Sequence, residues 1–102
     1  MIRKIQNIPD ILPNICSIMT FSFLFKTKNL GFQITVHADQ FTPGSSRVAV
    51  EVGASSADHL ETMSDEDISF LAQSDMVATA LPGASLGLGE PFTPARKLLD
   101  AG

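Results

Sequence analysis

The sequence has 102 residues, of which 44% are apolar and 18% are charged, and its formal net charge is −4 at pH 7. This length supplies one small globular domain and excludes a two-domain organisation. Seven Lys and Arg against eleven Asp and Glu give no basic surface for phosphate groups, so we predict neither nucleic acid nor a membrane as a partner. The charge is uneven, because residues 1–30 carry +3 and residues 31–102 carry −7. The single cysteine, Cys16, cannot form an intramolecular disulfide, which favours a reducing, cytoplasmic location.

The first 29 residues contain the longest apolar run of the chain, over residues 15–25. This run is shorter than the roughly 20 residues that a membrane-spanning helix requires. Pro9 and Pro13 interrupt the approach to it and no small-residue cleavage site follows, which disfavours a secretory signal peptide. We therefore predict an apolar, β-prone and irregular segment over residues 1–29, distinct from the rest of the chain.

Regular patterns begin at Leu30. Three apolar residues alternate with polar ones and predict a first strand that ends at His37; they are Phe32, Ile34 and Val36. Turn-forming residues follow over 42–46, and Ser46 is placed to cap a short helix. That helix has one apolar face and ends at Gly53; the face consists of Val48, Ala49 and Val52.

A second strand and helix follow. Residues 55–57 predict a short strand that ends at Asp58 and His59. Ser64 begins the next helix, and Asp67, three residues later, is its partner in a capping box. The inward face of this helix consists of Ile68, Leu71 and Ala72.

The last unit predicts a parallel α/β fold. Residues 76–81 form a third strand that Pro82 and Gly83 end, and Pro94 opens a final helix. The apolar residues of that helix at core spacing are Ala95, Leu98 and Leu99. Three strands that alternate with helices across short connections predict successive parallel crossovers. An open doubly wound sheet and a slice of a barrel are both compatible with this pattern.

Both histidines of the chain fall at the carboxyl end of a predicted strand. His37 and His59 are separated by 22 residues, about one βα unit, and Asp39, Gln40 and Asp58 lie beside them. The carboxyl ends of strands are where α/β folds build their chemistry, so the pair is a candidate site. A structural role for either histidine is the alternative. The sequence lacks a His-x-His pair, a nucleophile elbow, a phosphate-binding loop and a second cysteine, so it cannot complete a four-ligand metal site.

Five runs of residues carry a family resemblance: LGF at 30–32, HADQF at 37–41, EVGASSADHLE at 51–61, LPGAS at 81–85 and PARKLLDAG at 94–102. With these runs, residues 30–102 resemble an internal stretch of the imidazolonepropionases, which are metal-dependent amidohydrolases of histidine breakdown. HADQ, SADHL and LPG at these distances are more specific to that family than a histidine that ends a strand. Residues 1–29 match nothing in the family, and we interpret them as a translated intron, a frameshifted stretch or a fusion boundary.

The resemblance implies a partial (β/α)8 TIM barrel, in which the three strands are strands five to seven. It implies hydrolysis of 4-imidazolone-5-propanoate to N-formimino-L-glutamate by a parent enzyme that contains one zinc or iron ion. The resemblance is compatible with a homodimeric parent enzyme. His37 would be a metal ligand, Gln40 would contact the substrate ring, and His59 would polarise the carbonyl or move protons. Asp39 and Asp58 would be supporting or capping residues. The family's His-x-His pair, its strand-eight Asp and its other substrate-binding residues fall outside the matched stretch.

Three hypotheses follow. In the first, the chain is a fragment of imidazolonepropionase, inactive and without stoichiometric metal when isolated, because His37 alone cannot hold zinc. In the second, it is a small α/β module that folds alone and binds without catalysis. In the third, it complements another piece of the barrel. A related amidohydrolase of cyclic amides or amidines is the alternative parent enzyme.

Overall fold

The computed structural model describes residues 15–102 of the chain, with side-chain environments from residue 22 onward. The described elements, in chain order, are α1 (Ile15–Asn29), β1 (Thr35–Ala38), α2 (Ser45–Glu51), β2 (Ser56–His59), α3 (Asp65–Leu71), β3 (Val77–Thr79), α4 (Pro82–Leu88) and α5 (Ala95–Ala101). The three strands form one parallel sheet in the order β1-β2-β3. The predicted α/β class with successive parallel crossovers is therefore confirmed.

The register of the sheet brings the ends of neighbouring strands level. His37 pairs with Asp58, and Ala38 pairs with His59. Thr35 and Ser56, which pair at the other end of β1 and β2, also join through their hydroxyl oxygens at 3.0 Å. Among the described strands, β1 and β3 each pair on one side only, so this three-stranded sheet does not close into a barrel.

The core lies between the sheet and the helices that follow its strands. Its buried members are at most 9% exposed, and they are Ile34, Ala38, Val48, Ala49, Val52, Ala54, Ala57, Leu60, Leu71 and Met76. The predicted apolar face of α2 is confirmed by this set. Ala38 and Ala57 have small side chains, so larger side chains of the helices can pack closely against this face of the sheet.

Helix α3 begins as the sequence predicts. The Ser64 hydroxyl accepts a hydrogen bond from the Asp67 backbone N–H at 3.1 Å, and the Asp67 carboxylate accepts one from the Ser64 backbone N–H at 3.3 Å. This reciprocal pair is a capping box, and it satisfies two backbone donors at the helix start. Ile68 and Leu71 are buried as predicted, whereas Ala72 is half-buried.

Helix α1 corrects the prediction for part of the N-terminal segment. The β-prone, irregular conformation predicted over residues 1–29 is wrong for Ile15–Asn29, which is helical; residues 1–14 lie outside the described part of the chain. Helix α1 contains neither Gly nor Pro, and Lys26 and Lys28 in its last turn complement the negative end of the helix dipole. Gly31, with φ of 91°, then ends it. No helix in the described residues has the length and apolar character that crossing a membrane requires.

Ser46 does not cap α2, contrary to the sequence prediction. The N-cap position belongs to Gly44, with φ of 112°, and Ser46 lies buried inside the first turn. Its backbone N–H donates to the Asp39 carboxylate at 3.0 Å, and its hydroxyl donates to the same carboxylate. The Asp39 side chain, directly after β1, accepts hydrogen bonds from the first turn, and the helix begins two residues earlier than expected.

The last third of the chain adds one helix and exposes two predicted core residues. Pro82, predicted only to end the third strand, is the first residue of α4, where its missing N–H costs nothing. Before α5, Pro94 occupies the N-cap, and Leu98 packs on the core as predicted. Leu99 is 76% exposed and Ala95 is also exposed, so their predicted core positions are wrong.

Candidate active site

The two histidines meet at the carboxyl edge of the sheet. His37 Nδ1 lies 2.9 Å from His59 Nε2, and the two ring centroids are 4.9 Å apart. The register sets Ala38 opposite His59, so the contact between the rings runs diagonally between β1 and β2. His37 is exposed, whereas His59 is only 6% exposed. One ring therefore faces solvent while the other supports it from within the protein.

The backbone around this pair is held in rarely populated conformations. Among the described residues, three non-glycine residues have a positive φ, namely Asp39 at 50°, His59 at 82° and Leu60 at 65°. Each such residue costs on the order of 1–3 kcal/mol and persists only where the surrounding structure over-determines it, and such residues cluster at functional sites. Asp39 directly follows β1, His59 is the last residue of β2, and Leu60 directly follows it. This concentration of strain marks the same edge that the histidines mark.

Asp39 ties the two loops at this edge together. Its backbone N–H donates to the Ser45 hydroxyl at 2.8 Å, and that hydroxyl lies 2.9 Å from the Asp39 carboxylate, to which it donates. On the other side, the backbone N–H and the hydroxyl of Thr62 both donate to the Asp39 carbonyl oxygen at 2.8 Å. The carboxylate is buried and its oxygens accept from α2, so Asp39 acts as a supporting residue, as the sequence suggested.

His59 has a buried acidic neighbour, Glu61. Its Nδ1 lies 3.5 Å from Glu61 Oε1, and the Ser85 hydroxyl donates to the same oxygen at 2.7 Å. The side chain of Glu61 is fully buried, and Ser85 is 0% exposed. The backbone carbonyl of His59 accepts a hydrogen bond from the Thr93 hydroxyl. Residues that follow β2 and β3 therefore surround the buried imidazole of His59.

Gln40 and Asp58, the other polar residues named from the sequence, lie at the same edge. Gln40 is half-buried in the loop after β1, three residues beyond His37, and it makes no hydrogen bond to another described residue. Asp58 is half-buried and is the register partner of His37. Neither side chain hydrogen-bonds to an imidazole within the described residues. The geometry leaves the amide of Gln40 available to a ligand.

The donor set fits a contribution to a metal site but not a whole one. Within residues 22–102, whose side chains the structure describes, no three His, Cys, Asp or Glu side chains come together as potential metal ligands. His37 engages Nδ1 with His59 and makes no hydrogen bond through Nε2 within that range. A metal-binding histidine characteristically uses one nitrogen for the metal and the other for a supporting partner. His37 fits the role of a single imidazole ligand, and further ligands would have to come from outside these residues.

An apolar cavity lies away from the histidines. It has a volume of about 480 Å³ and lies between α3, β3 and α5. Its lining includes Ile68, Leu71, Met76, Ala78 and Leu98, and neither histidine borders it. No histidine, cysteine, acidic or basic side chain lines this cavity, so the histidine edge is the candidate active site.

The sequence interpretation missed Glu61 and Ser85. Glu61 stands two residues after His59, and a carboxylate so close to a strand-end histidine is a usable signal for a supporting partner. Ser85 carries no comparable signal, because α4, which positions it, was not predicted. Only the fold brings it 2.7 Å from a residue that is 24 positions earlier in the chain.

Comparisons with known proteins agree with the resemblance noted in the sequence. No family model matches the chain. The chain is 49% identical over 82 residues to the imidazolonepropionases of Bacillus thuringiensis (strain Al Hakam), Bacillus cereus (strain B4264) and Bacillus anthracis (strain CDC 684 / NRRL 3495).

Each alignment covers 78% of this chain and 19% of the relative, so the chain spans about a fifth of the length of the curated relatives it matches. An alignment of that extent is longer than residues 30–102 and includes residues that precede Leu30. Over the shared stretch, this chain is therefore a homologue of imidazolonepropionase and corresponds to an internal fragment of that enzyme.

Proposed function

We propose that this chain is a portion of an imidazolonepropionase and that its three strands are strands five to seven of a (β/α)8 barrel. The open edges of β1 and β3 support this proposal, because a barrel would pair both. Exposed apolar side chains support it too, since 60% of Phe92, 61% of Val77 and 73% of Leu86 remain uncovered. A complete barrel takes roughly 250 residues, far more than this chain supplies.

The observation that carries the proposal is the contact between His37 and His59 at the carboxyl edge of the sheet, at 2.9 Å. In barrel enzymes, this edge holds the active site. His37 would be one ligand of a single zinc or iron ion through its Nε2. When bound, such a metal lowers the pKa of a coordinated water and polarises a carbonyl.

The remaining roles follow from burial and position. His59 is shielded from solvent and contacts His37 on one side and Glu61 on the other, so its imidazole can hold a proton or transfer one between these neighbours. Gln40, whose amide is unengaged within the described residues, would donate to or accept from the substrate ring. Asp39 would keep both loops in place.

The proposed reaction is the hydrolysis of 4-imidazolone-5-propanoate to N-formimino-L-glutamate in cytoplasmic histidine degradation. The names of the relatives support this substrate. Another cyclic amide or amidine is the alternative substrate, because substrate-binding residues outside this stretch decide between them. The isolated chain would be inactive, since the described residues lack a full set of metal ligands.

A chimera tests the proposal. The part of the Bacillus cereus imidazolonepropionase that aligns with residues 30–102 of this chain is replaced by those residues, and hydrolysis of 4-imidazolone-5-propanoate is measured. We expect turnover within about tenfold of the parent enzyme. A chimera that is folded by circular dichroism and contains the metal, but does not turn over this substrate, would reject the proposed activity.

A further inference from the structure

The atoms behind His59 are buried and incompletely satisfied. Both His59 Nδ1 and Glu61 Oε2 are buried without a hydrogen-bond partner, and His59 Nδ1 is 3.5 Å from Glu61 Oε1. Hydrogen bonds between nitrogen and oxygen are normally 2.7–3.2 Å long, so this separation exceeds one by a few tenths of an ångström. The Glu61 carboxylate approaches Nδ1 through Oε1, which also accepts from Ser85, while its other oxygen has no partner. A small shift of this carboxylate would make it the acceptor of a proton on Nδ1.

Glu61 is fixed from its other side. The Ser85 hydroxyl donates to Glu61 Oε1 at 2.7 Å, and both side chains are buried. A carboxylate only accepts hydrogen bonds, so the group that faces it from His59 must donate. The nitrogen that faces it is Nδ1, which places the proton of a neutral His59 on Nδ1 and leaves Nε2 as an acceptor.

The direction of the next hydrogen bond then follows. His59 Nε2 is 2.9 Å from His37 Nδ1, and an accepting Nε2 requires His37 to donate from Nδ1. A neutral His37 that is protonated on Nδ1 carries a lone pair on Nε2. Glu61 therefore accepts from Ser85 on one side and from His59 on the other, and His59 in turn accepts from His37. The Nε2 of the exposed His37 imidazole is left as an electron-pair donor.

We propose that Glu61, anchored by Ser85, is a positioning residue that sets the tautomer of His59 and, through it, presents the unprotonated Nε2 of His37 to an electrophile. The alternative is that Glu61 only fills space beneath His59. A space-filling role would leave either imidazole free to adopt both tautomers. One step rests on the proposed function, namely that the electrophile is the metal of the proposed enzyme.

The tautomers can be measured on the full chain without metal or substrate. The chain is labelled with ¹⁵N-histidine, and long-range ¹H–¹⁵N spectra are recorded at alkaline pH, where imidazole is neutral. With only two histidines, single alanine variants assign the signals. We expect both residues to be protonated on Nδ1, by on the order of tenfold over the other tautomer. Protonation of His59 on Nε2, or an even mixture of tautomers, would overturn the proposal.

Two variants separate a hydrogen-bond role from a space-filling one. Glu61→Gln keeps an acceptor oxygen and should retain the wild-type tautomers. Glu61→Met fills similar space without an acceptor, so His59 should shift to the Nε2-protonated form and His37 Nε2 should become protonated. The Ser85 hydroxyl retains the Leu81 carbonyl as an acceptor at 3.3 Å in both variants.

Glu51→Met is the matched control, because Glu51 Oε2 is also buried without a partner but lies at the end of α2. It should leave the tautomers unchanged. Equal tautomers in Glu61→Gln and Glu61→Met would overturn the proposal. If Glu61→Met does not fold, the wild-type measurement decides alone. Because metal and substrate are absent, a failure here is distinct from a chimera without activity.

Discussion

His37 Nδ1 lies 2.9 Å from His59 Nε2, although the two residues are 22 positions apart in the chain. The contact exists because one parallel crossover returns the chain to the neighbouring strand in a register that brings both strand ends level. It joins an exposed imidazole to a buried one. In this arrangement, the exposed His37 can offer one ring nitrogen to a ligand, while the buried His59 holds the other ring nitrogen in a hydrogen bond. The proposed hydrolase requires this chemistry.

The isolated chain should bind no stoichiometric metal and should not hydrolyse 4-imidazolone-5-propanoate. The described residues bring no three potential ligand side chains together, and catalytic zinc usually has three. Elemental analysis of the purified chain, with an activity assay, checks this expectation. One tightly bound zinc or iron ion per chain would contradict it.

Replacing the cap of α3 should lower stability. In Ser64→Ala, the Asp67 backbone N–H loses its acceptor, which costs about 1 kcal/mol and up to about 2 kcal/mol. Urea unfolding followed by circular dichroism measures the loss. Ser69→Ala is the matched control, because Ser69 is an exposed serine inside the same helix. A cost equal to that of the control would show that the capping box does not stabilise the helix.

Asp67 should make stability depend on pH in the acid range. Burial opposes ionisation, but hydrogen bonds from Arg47 and Ser64 outweigh it and hold the pKa of Asp67 below its ordinary value of 3.8. The Arg47 Nε lies 2.5 Å from Asp67 Oδ1, and this hydrogen bond raises the pKa of Arg47.

A carboxyl whose pKa is lowered by folding stabilises the protein above its unfolded pKa, and this contribution disappears as the pH falls through the folded pKa. The difference in unfolding free energy between the wild-type chain and Asp67→Asn should therefore shrink below about pH 4. Unfolding at a series of pH values measures it. Asp75→Asn, at an exposed aspartate, is the control. A difference that stays constant down to pH 2 would contradict the expectation.

The core beneath the site should be sensitive to truncation. Leu60 is 0% exposed and directly follows His59, so Leu60→Ala should cost about 2–5 kcal/mol by leaving a cavity. Leu86→Ala is the control, because Leu86 is 73% exposed and its loss should change stability by no more than about 0.5 kcal/mol. Equal costs in thermal or urea unfolding would show that Leu60 is not part of the core.

Sequence patterns predicted the features that depend on local chemistry. The capping box of Ser64 and Asp67 and the apolar face of α2 are encoded within a few residues, and both are confirmed. The parallel order of strands followed from the alternation of elements and short connections. The position of both histidines at strand ends followed from the same alternation.

Features that depend on distant contacts were not predictable. Ser46 has the residue type of an N-cap, but its backbone N–H donates to the Asp39 carboxylate, seven residues earlier in the chain. The support that Ser85 gives to Glu61 crosses 24 positions. The helical state of residues 15–29 was missed because apolar content alone does not separate a helix from a strand, and the lack of Gly and Pro was the usable signal.

The most direct measurement is the metal content of the folded chimera in which residues 30–102 are grafted into the Bacillus cereus enzyme. At saturating metal, His37→Ala should lose both the metal and turnover, because a ligand is gone. His59→Ala should keep about one metal per chain, with affinity lowered by about 10- to 100-fold, and should lose turnover. Stoichiometric metal in the His37 variant, or normal turnover in the His59 variant, would contradict the account.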